Sequence, residues 1–303
     1  MLVCGWQEDV TGCAEKVVVV NKIVAIANQK GGVGKTTTSV NLAACLADLG
    51  CRVLLLDMDP QGNATSGLGI DRSLIVRATY DLLMGDARVE ELVVATNIPN
   101  LSIIPSTTDL AGAEIELVSH ATREYRLRDE FRQTEAEFDF ILIDCPPSLG
   151  LLTLNALAAA DTVLVPIQAE YYALEGVGML SQSVELVQEY LNPRLTWEGV
   201  LLTMYDGRTN LAEQVADEVH RHFGDLVYRT KIPRNVRLSE APSYGEPIIR
   251  YASASRGAKT YRRLADEFLA RNNFTPSVEK TSEDADAADS TLEDPSDPRA
   301  SAP

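Results

Sequence analysis

Cysteine is scarce and unpaired in this chain. There are five among 303 residues (Cys4, Cys13, Cys45, Cys51 and Cys145), scattered, with no CxxC. That pattern argues against an iron–sulfur cluster and fits reduced thiols in cytosol. Cys145, behind a strand end, reads as a small semi-buried residue. No apolar run approaches the roughly 20 residues that a membrane helix needs. Met1 to Ala14 lacks the basic start and apolar core of a secretion signal, so the expectation is a cytoplasmic protein. Positive charge is also short: 27 Lys and Arg stand against 44 Asp and Glu, net −17, which opposes bulk attraction to nucleic acid. The sum hides a local excess. Residues 229–263 carry nine bases against Glu240 and Glu246, net +7, whereas residues 274–303 carry eight acids and two bases, net −6.

What the chain does have is a glycine-rich turn in a telling place. Asn28-Gln29-Lys30-Gly31-Gly32-Val33-Gly34-Lys35-Thr36-Thr37 follows an apolar run, Val17 to Ala27, that reads as a buried strand. It precedes Thr38 to Leu49, whose apolar positions fit a helix. Strand, glycine turn and helix start are the context of a phosphate-binding loop. Glycines let N–H groups curl around an anion, and the helix N-terminus adds donors and partial positive charge. Gly31, Gly32, Val33, Gly34, Lys35, Thr36 and Thr37 are thus nucleotide-binding candidates. Lys35 supplies a mobile charge for β- and γ-phosphates, and the Thr36 hydroxyl is a ligand for Mg²⁺. One departure stands out: the usual pattern places glycine where this chain has Gln29, and a second lysine, Lys30, opens the loop.

Two acidic strand ends follow. Arg52 to Asp57 is a short apolar strand running into Asp57-Met58-Asp59-Pro60-Gln61-Gly62-Asn63, and Phe138 to Asp144 is a strand closing on an acid before Cys145-Pro146-Pro147-Ser148. In a parallel sheet functional groups gather at the carboxyl ends of strands. Asp144 therefore suits an acid that orients Mg²⁺-bound waters. Further strands are expected at Leu101–Pro105, Asp161–Ile167, Glu198–Thr203 and Leu226–Ile232. Helices are expected near Thr79–Met84, Val89–Val94, Leu110–Ser119, Arg123–Glu137, Leu151–Ala160, Leu174–Leu191, up to Phe223, and Ala258–Arg271. This alternation predicts an α/β fold of the P-loop NTPase type: a mostly parallel sheet of about seven strands with helices on both faces. One domain is expected over 20–272, after a poorly ordered extension, 1–19, and before an acidic tail, 273–303, too poor in apolar residues to fold.

The Lys30-Gly31-Gly32-Val33-Gly34-Lys35-Thr36-Thr37 string resembles the deviant Walker A motif of the ParA/MinD family of ATPases. The Asp57–Asn63 string, Asp144-Cys145-Pro146-Pro147-Ser148, Leu110–Glu114, Glu170–Gly176 and Asn235–Pro242 are similar to chromosomal ParA (Soj) proteins, over about 250 residues from Lys22 to Glu267. The resemblance implies that Lys30 reaches across a dimer interface to the partner's nucleotide while Lys35 serves its own. It implies that Asp59 positions the hydrolytic water, that Asp57 lies nearer the metal shell, with Asp57 and Asp144 acting through water, and that Pro233 and Asn235 lie beside the adenine. Arg208 and Arg237, in loops after strands, are the candidates for DNA phosphates. The implied activity is Mg²⁺-dependent ATP hydrolysis, slow without a partner. The resemblance further implies that an ATP-bound homodimer binds non-specific DNA and that a ParB-type centromere-binding protein stimulates hydrolysis and release, moving chromosome or plasmid on the nucleoid. The rival of a membrane-surface ATPase needs a basic amphipathic C-terminus, and this one is acidic and proline-rich. A non-hydrolysing adaptor is disfavoured by the retained Lys35, Thr36 and Asp59.

Overall fold

In the computed structural model, residues 22–170 and 173–276 are described. The N-terminal extension 1–19, the first part of the strand expected from Val17, Cys4, Cys13, Tyr171, Tyr172 and the tail from 277 lie outside the described residues.

Alternating apolar side chains along each strand build two cores, one on each face of a single sheet. Its strands are β1 (Lys22–Ile26), β2 (Val53–Asp57), β3 (Val94–Ala95), β4 (Leu101–Ile104), β5 (Phe140–Asp144), β6 (Thr162–Gln168) and β7 (Thr196–Thr203). They lie in the order β3-β4-β2-β5-β1-β6-β7, all neighbours parallel except β3 on β4. Ala25, Leu54, Leu56, Ile141, Ile143, Val163 and Val165 face one core, and Val24, Ile26, Val53, Leu55, Phe140, Leu142 and Leu164 the other. A two-residue period sends successive side chains to opposite faces. Both faces are covered, so the strands are apolar throughout.

The helices Lys35–Asp48 and Arg256–Arg271 cover the second face with Leu42, Leu46, Tyr261, Leu264 and Phe268. The first is covered by Thr79–Met84, Leu110–Glu116, Arg126–Gln133, Leu151–Ala159, Ala173–Tyr190 and Asn210–Phe223. Phe274 packs edge-on against Phe140 with centroids 4.9 Å apart, and Phe268 does so at 5.2 Å. Such pairs add about 0.5–1.5 kcal/mol beyond area burial. Phe274 thus belongs to the packed body, although the sequence reading assigns it to the tail. Among the described residues no helix is long and apolar enough to cross a membrane.

Two expected elements differ. The helix near Val89–Val94 is a single turn, Val89–Leu92, followed by β3, an antiparallel edge strand too short to have a pattern. The strand expected at Leu226–Ile232 is not a ladder. It meets the β7 edge of the sheet through isolated bridges, Val200 to Val227 and Tyr205 to Pro233, and through the Tyr228 and Ile232 N–H groups, which donate to the Val200 and Leu202 carbonyls at 2.8 Å each. The Thr230 N–H, which a ladder on β7 would use, donates instead to the Glu267 carboxylate at 2.9 Å, beside the Arg229 N–H at 2.8 Å.

Candidate functional site

β1 ends in the glycine turn, and β1, β2 and β5 aim their carboxyl ends at one place. Gly32 and Gly34 are the left-handed residues of the loop (φ 76° and 88°), a conformation that a Cβ disfavours. Gln29 needs no such freedom, and its side-chain amide donates to Ser183 Oγ at 2.8 Å, tying the loop entrance to the Ala173–Tyr190 helix. The chemistry of the departing position is therefore anchoring. Asn28 fixes the turn from beneath: its Oδ1 accepts from Lys30 N–H (3.0 Å) and its Nδ2 donates to the Pro166 carbonyl (2.7 Å). Thr203, at the end of β7, donates to the Val33 carbonyl at 2.7 Å. The first N–H groups of the Lys35–Asp48 helix have no partner within it and face the loop's concavity, as an anion site requires.

Lys35 is buried, and its Nζ donates to the Lys30 carbonyl at 3.2 Å. Burial lowers its pKa, and the charges of Asp144, Cys145 and Asp59 counter that. Asp57 and Asp144 end β2 and β5 in direct register, both fully buried. Burial raises both carboxyls above the ordinary carboxylate range, and the charge of Asp57 raises Asp144 further.

The two acids differ in their hydrogen bonds. Asp57 Oδ2 accepts from the Thr65 N–H (2.8 Å) and hydroxyl (2.7 Å), and Oδ1 from the Asp59 N–H (3.1 Å). Asp144 Oδ1 accepts from Ser39 Oγ at 2.7 Å, whereas Oδ2 is buried with no partner of hydrogen-bond geometry among the described residues, although the nearby Thr36 hydroxyl favours the charged carboxylate. The two acids expected to act on Mg²⁺ through water thus differ in what the protein already asks of them. Asp57 also holds the Asp59 turn, and of these two acids Asp144 is the one with a buried oxygen that has no hydrogen-bond partner among the described residues. An orphaned carboxylate oxygen among like charges fits an added cation or its waters. Among the described residues no three His, Cys, Asp or Glu side chains form a metal cage.

Asp59 is nearly buried, with Oδ1 accepting from Gln61 N–H at 2.9 Å and no partner for Oδ2 among the described residues. Lys30 is half-exposed, and its ammonium has no ion pair among the described residues. Beside the loop lies a cavity of about 770 Å³ lined by Gly34, Thr36, Thr37, Thr203, Met204, Pro233 and Asn235, among others. Met204 holds φ 50°, strained for a side chain of this kind, at the cavity wall. Asn235 Oδ1 caps the Val236–Glu240 turn by accepting from Arg237 N–H at 2.9 Å.

Arg208 and Arg237 lie outside this cavity. Arg208 is exposed and forks onto Asp206 (2.8 and 2.6 Å), and its hydrogen bonds hold that carboxyl down to about 2. Arg237 pairs with Glu240 at 2.8 Å. A separate cleft of about 550 Å³ gathers Arg229, Lys231, Arg256, Lys259 and Arg263, none in an ion pair among the described residues. Cys145 is fully buried and its thiol is pushed up by burial, as inert as the sequence suggests. Sequence reading misses Ser39, Thr65, Ser106 and Thr203, the hydroxyls that hold these acids and carbonyls.

Fold and site together define a P-loop nucleotide-binding protein. A family model described as an AAA domain matches residues 21–197. The chain is 60% identical over 249 residues to the sporulation initiation inhibitor protein Soj of Bacillus subtilis, covering 82% of this chain and 98% of that protein. It is 55% identical over 253 residues to the chromosome partitioning protein ParA of Myxococcus xanthus, covering 84% and 89%. A solved structure named cobyrinic acid a,c-diamide synthase, from Mycobacterium smegmatis with bound ADP and magnesium, is 40% identical with a TM-score of 0.71, covering 81% of this chain and 93% of that one. The chain belongs to the ParA/Soj family of chromosome-partitioning ATPases within the ParA/MinD group.

Proposed function

We propose that this chain is an ATP-driven partitioning switch: two subunits close on ATP, grip DNA without sequence preference, and let go after hydrolysis. The observation that carries the reading is the unpartnered, buried Asp144 Oδ2 at the mouth of the phosphate loop, beside Lys35 and a second buried acid. A site left incomplete in this way is stabilised by a triphosphate with its Mg²⁺. Thr36 and, through water, Asp144 and Asp57 would hold the ion. When bound, it neutralises charge on the phosphate oxygens.

In this reading Lys35 binds the phosphates of its own nucleotide, and Asp59 orients the attacking water with its free Oδ2. Pro233 and Asn235 bound the adenine end of the cavity. The unpaired ammonium of Lys30 reaches the nucleotide held by the other subunit, so the γ-phosphate holds the dimer together. Phosphoryl transfer needs positioning and charge stabilisation, which a ParB-type partner can complete, so the unaided enzyme is slow. The basic cleft at Arg229, Lys231, Arg256, Lys259 and Arg263 supports phosphate contact, with Arg208 and Arg237 as flanking contributors. The working place of such a switch is the nucleoid, in the cytoplasm.

The test is binding to a non-specific duplex with Mg²⁺ and ATP, ADP or no nucleotide. Tight binding is expected with ATP alone, and the Lys30→Ala variant should neither pair nor bind DNA. Equal DNA affinity in all three states, or a Lys30→Ala protein that pairs and binds like the parent, would overturn the switch.

A further inference from the structure

The turn after β2 is held from outside by a side chain that belongs to neither the phosphate loop nor the cavity. The turn closes at Gly62, whose N–H donates to the Asp59 carbonyl at 2.9 Å, and Ser106 Oγ donates to the same carbonyl at 2.7 Å. Gln61 N–H holds Asp59 Oδ1 at 2.9 Å. The other end of Gln61 is gripped as well: Arg72 Nη1 donates to its carbonyl at 2.6 Å, and Nη2 donates to the Pro60 carbonyl at 3.3 Å. One residue thus has its amide aimed at the Asp59 carboxylate and its carbonyl fixed by a cation.

Arg72 is itself held in place. Asp71 Oδ1 accepts from the Ser73 N–H (2.9 Å) and hydroxyl (2.7 Å), which fixes the short turn Arg72–Leu74. The guanidinium lies so close to the Asp59 turn that a Cβ at Gly62 would come within 2.8 Å of its Cζ. Gly62, at φ 62°, is the residue that permits this approach.

We propose that Arg72 is a positioning residue for hydrolysis, setting the aim of Asp59 through Pro60 and Gln61, a role that rests on Asp59 being the group that orients the water. A misplacement of about 1 Å at a reacting group can cost up to about 10²-fold in rate. Arg72 does not line the nucleotide cavity, so its removal changes turnover and leaves ATP binding alone.

The test uses the full-length protein with ATP and Mg²⁺. Arg72→Ala is expected to lower kcat by about tenfold, with KM, ATP affinity and Tm close to the parent. Arg72→Lys, which keeps one charged donor, is expected to fall between the two. A parent-like kcat in Arg72→Ala overturns the assignment. So does a loss of kcat that comes with an equal loss of ATP affinity or Tm, since Arg72 would then be merely structural. If Arg72→Ala does not fold, Arg72→Lys and Arg72→Gln are read by the same separation of kcat from KM. Asp59→Ala is the control. An active Asp59→Ala protein removes the reading of Asp59 itself, whereas an inactive one beside a parent-like Arg72→Ala protein removes only the inference about Arg72.

Discussion

Buried carboxylates occur at both ends of the sheet, and the two ends treat them differently. At the amino ends of the strands, Glu198 accepts from Lys22 Nζ (2.7 Å) and Thr162 (3.0 Å) on one oxygen, and from Tyr228 (3.0 Å) and Asn272 (2.9 Å) on the other. At the carboxyl ends, Asp144 keeps an oxygen without a donor and faces Asp57 across the β2–β5 register. The first acid has every partner it needs from the protein and joins β1, β6, β7 and the C-terminal helix. The second waits for something from solution. A saturated buried acid marks scaffold, and an unsaturated one in the same sheet marks where a ligand completes the structure.

Substitution at the two ends sharpens that contrast. Glu198→Ala strands four donors and is expected to cost about 3–5 kcal/mol, read by urea denaturation, with ATP turnover per folded molecule unchanged at a permissive temperature. Asp144→Asn is expected to do the reverse. It removes a buried like-charge contact and stabilises the nucleotide-free protein by about 1 kcal/mol, while Mg²⁺-dependent turnover collapses. If both variants lose stability alike, the distinction between the two ends is wrong.

The pH dependence of stability offers a milder test. Asp57 and Asp144 are raised above the ordinary value of 3.8, chiefly by burial. The folded protein therefore holds protons that the unfolded chain has released. Stability from this pair is fullest below the ordinary carboxylate value and falls as pH climbs toward the raised values. Thermal melts of the parent should lose ground to Asp144→Asn across that window, and saturating ATP with Mg²⁺ should shrink the difference.

The smallest effect is expected at the arginines outside the cavity. Arg208 and Arg237 already have acidic partners, Asp206 and Glu240, and must leave them to meet a phosphate. Their joint replacement by Ala should weaken DNA binding several-fold, uniformly across sequences, and reduce the salt slope by at most about 1.8, at roughly 0.9 per contact. Replacing Lys259 and Arg263, which have no ion pair among the described residues, should cost more. The reverse order would move the DNA surface out of the cleft.

Much of this site was legible before the fold was known. The phosphate loop announces itself because glycine and lysine recur at fixed spacing between a strand and a helix; Asp144 could be singled out as an acid closing an apolar strand, and Asp59 only through the family resemblance. The strands that ran true did so because burial on both faces leaves continuous apolar runs, as in Val53–Asp57 and Phe140–Asp144. What could not be read are contacts made by single side chains: the hydroxyls of Ser39 on Asp144 and Thr203 on Val33 across long separations, and Arg72 on Gln61 eleven positions back. A lone serine has no period. The expected strand at 226–232 failed for a related reason, since Glu267, some forty positions away, takes the Thr230 donor that would have extended the sheet.

The contact between Lys22 and Asn272 has a practical consequence. The first described strand and the end of the last helix meet at one corner, a full strand length from the phosphate loop, about 17 Å for five residues. A circular permutant joined across that corner, or a reporter attached at either side of it, leaves the catalytic edge untouched.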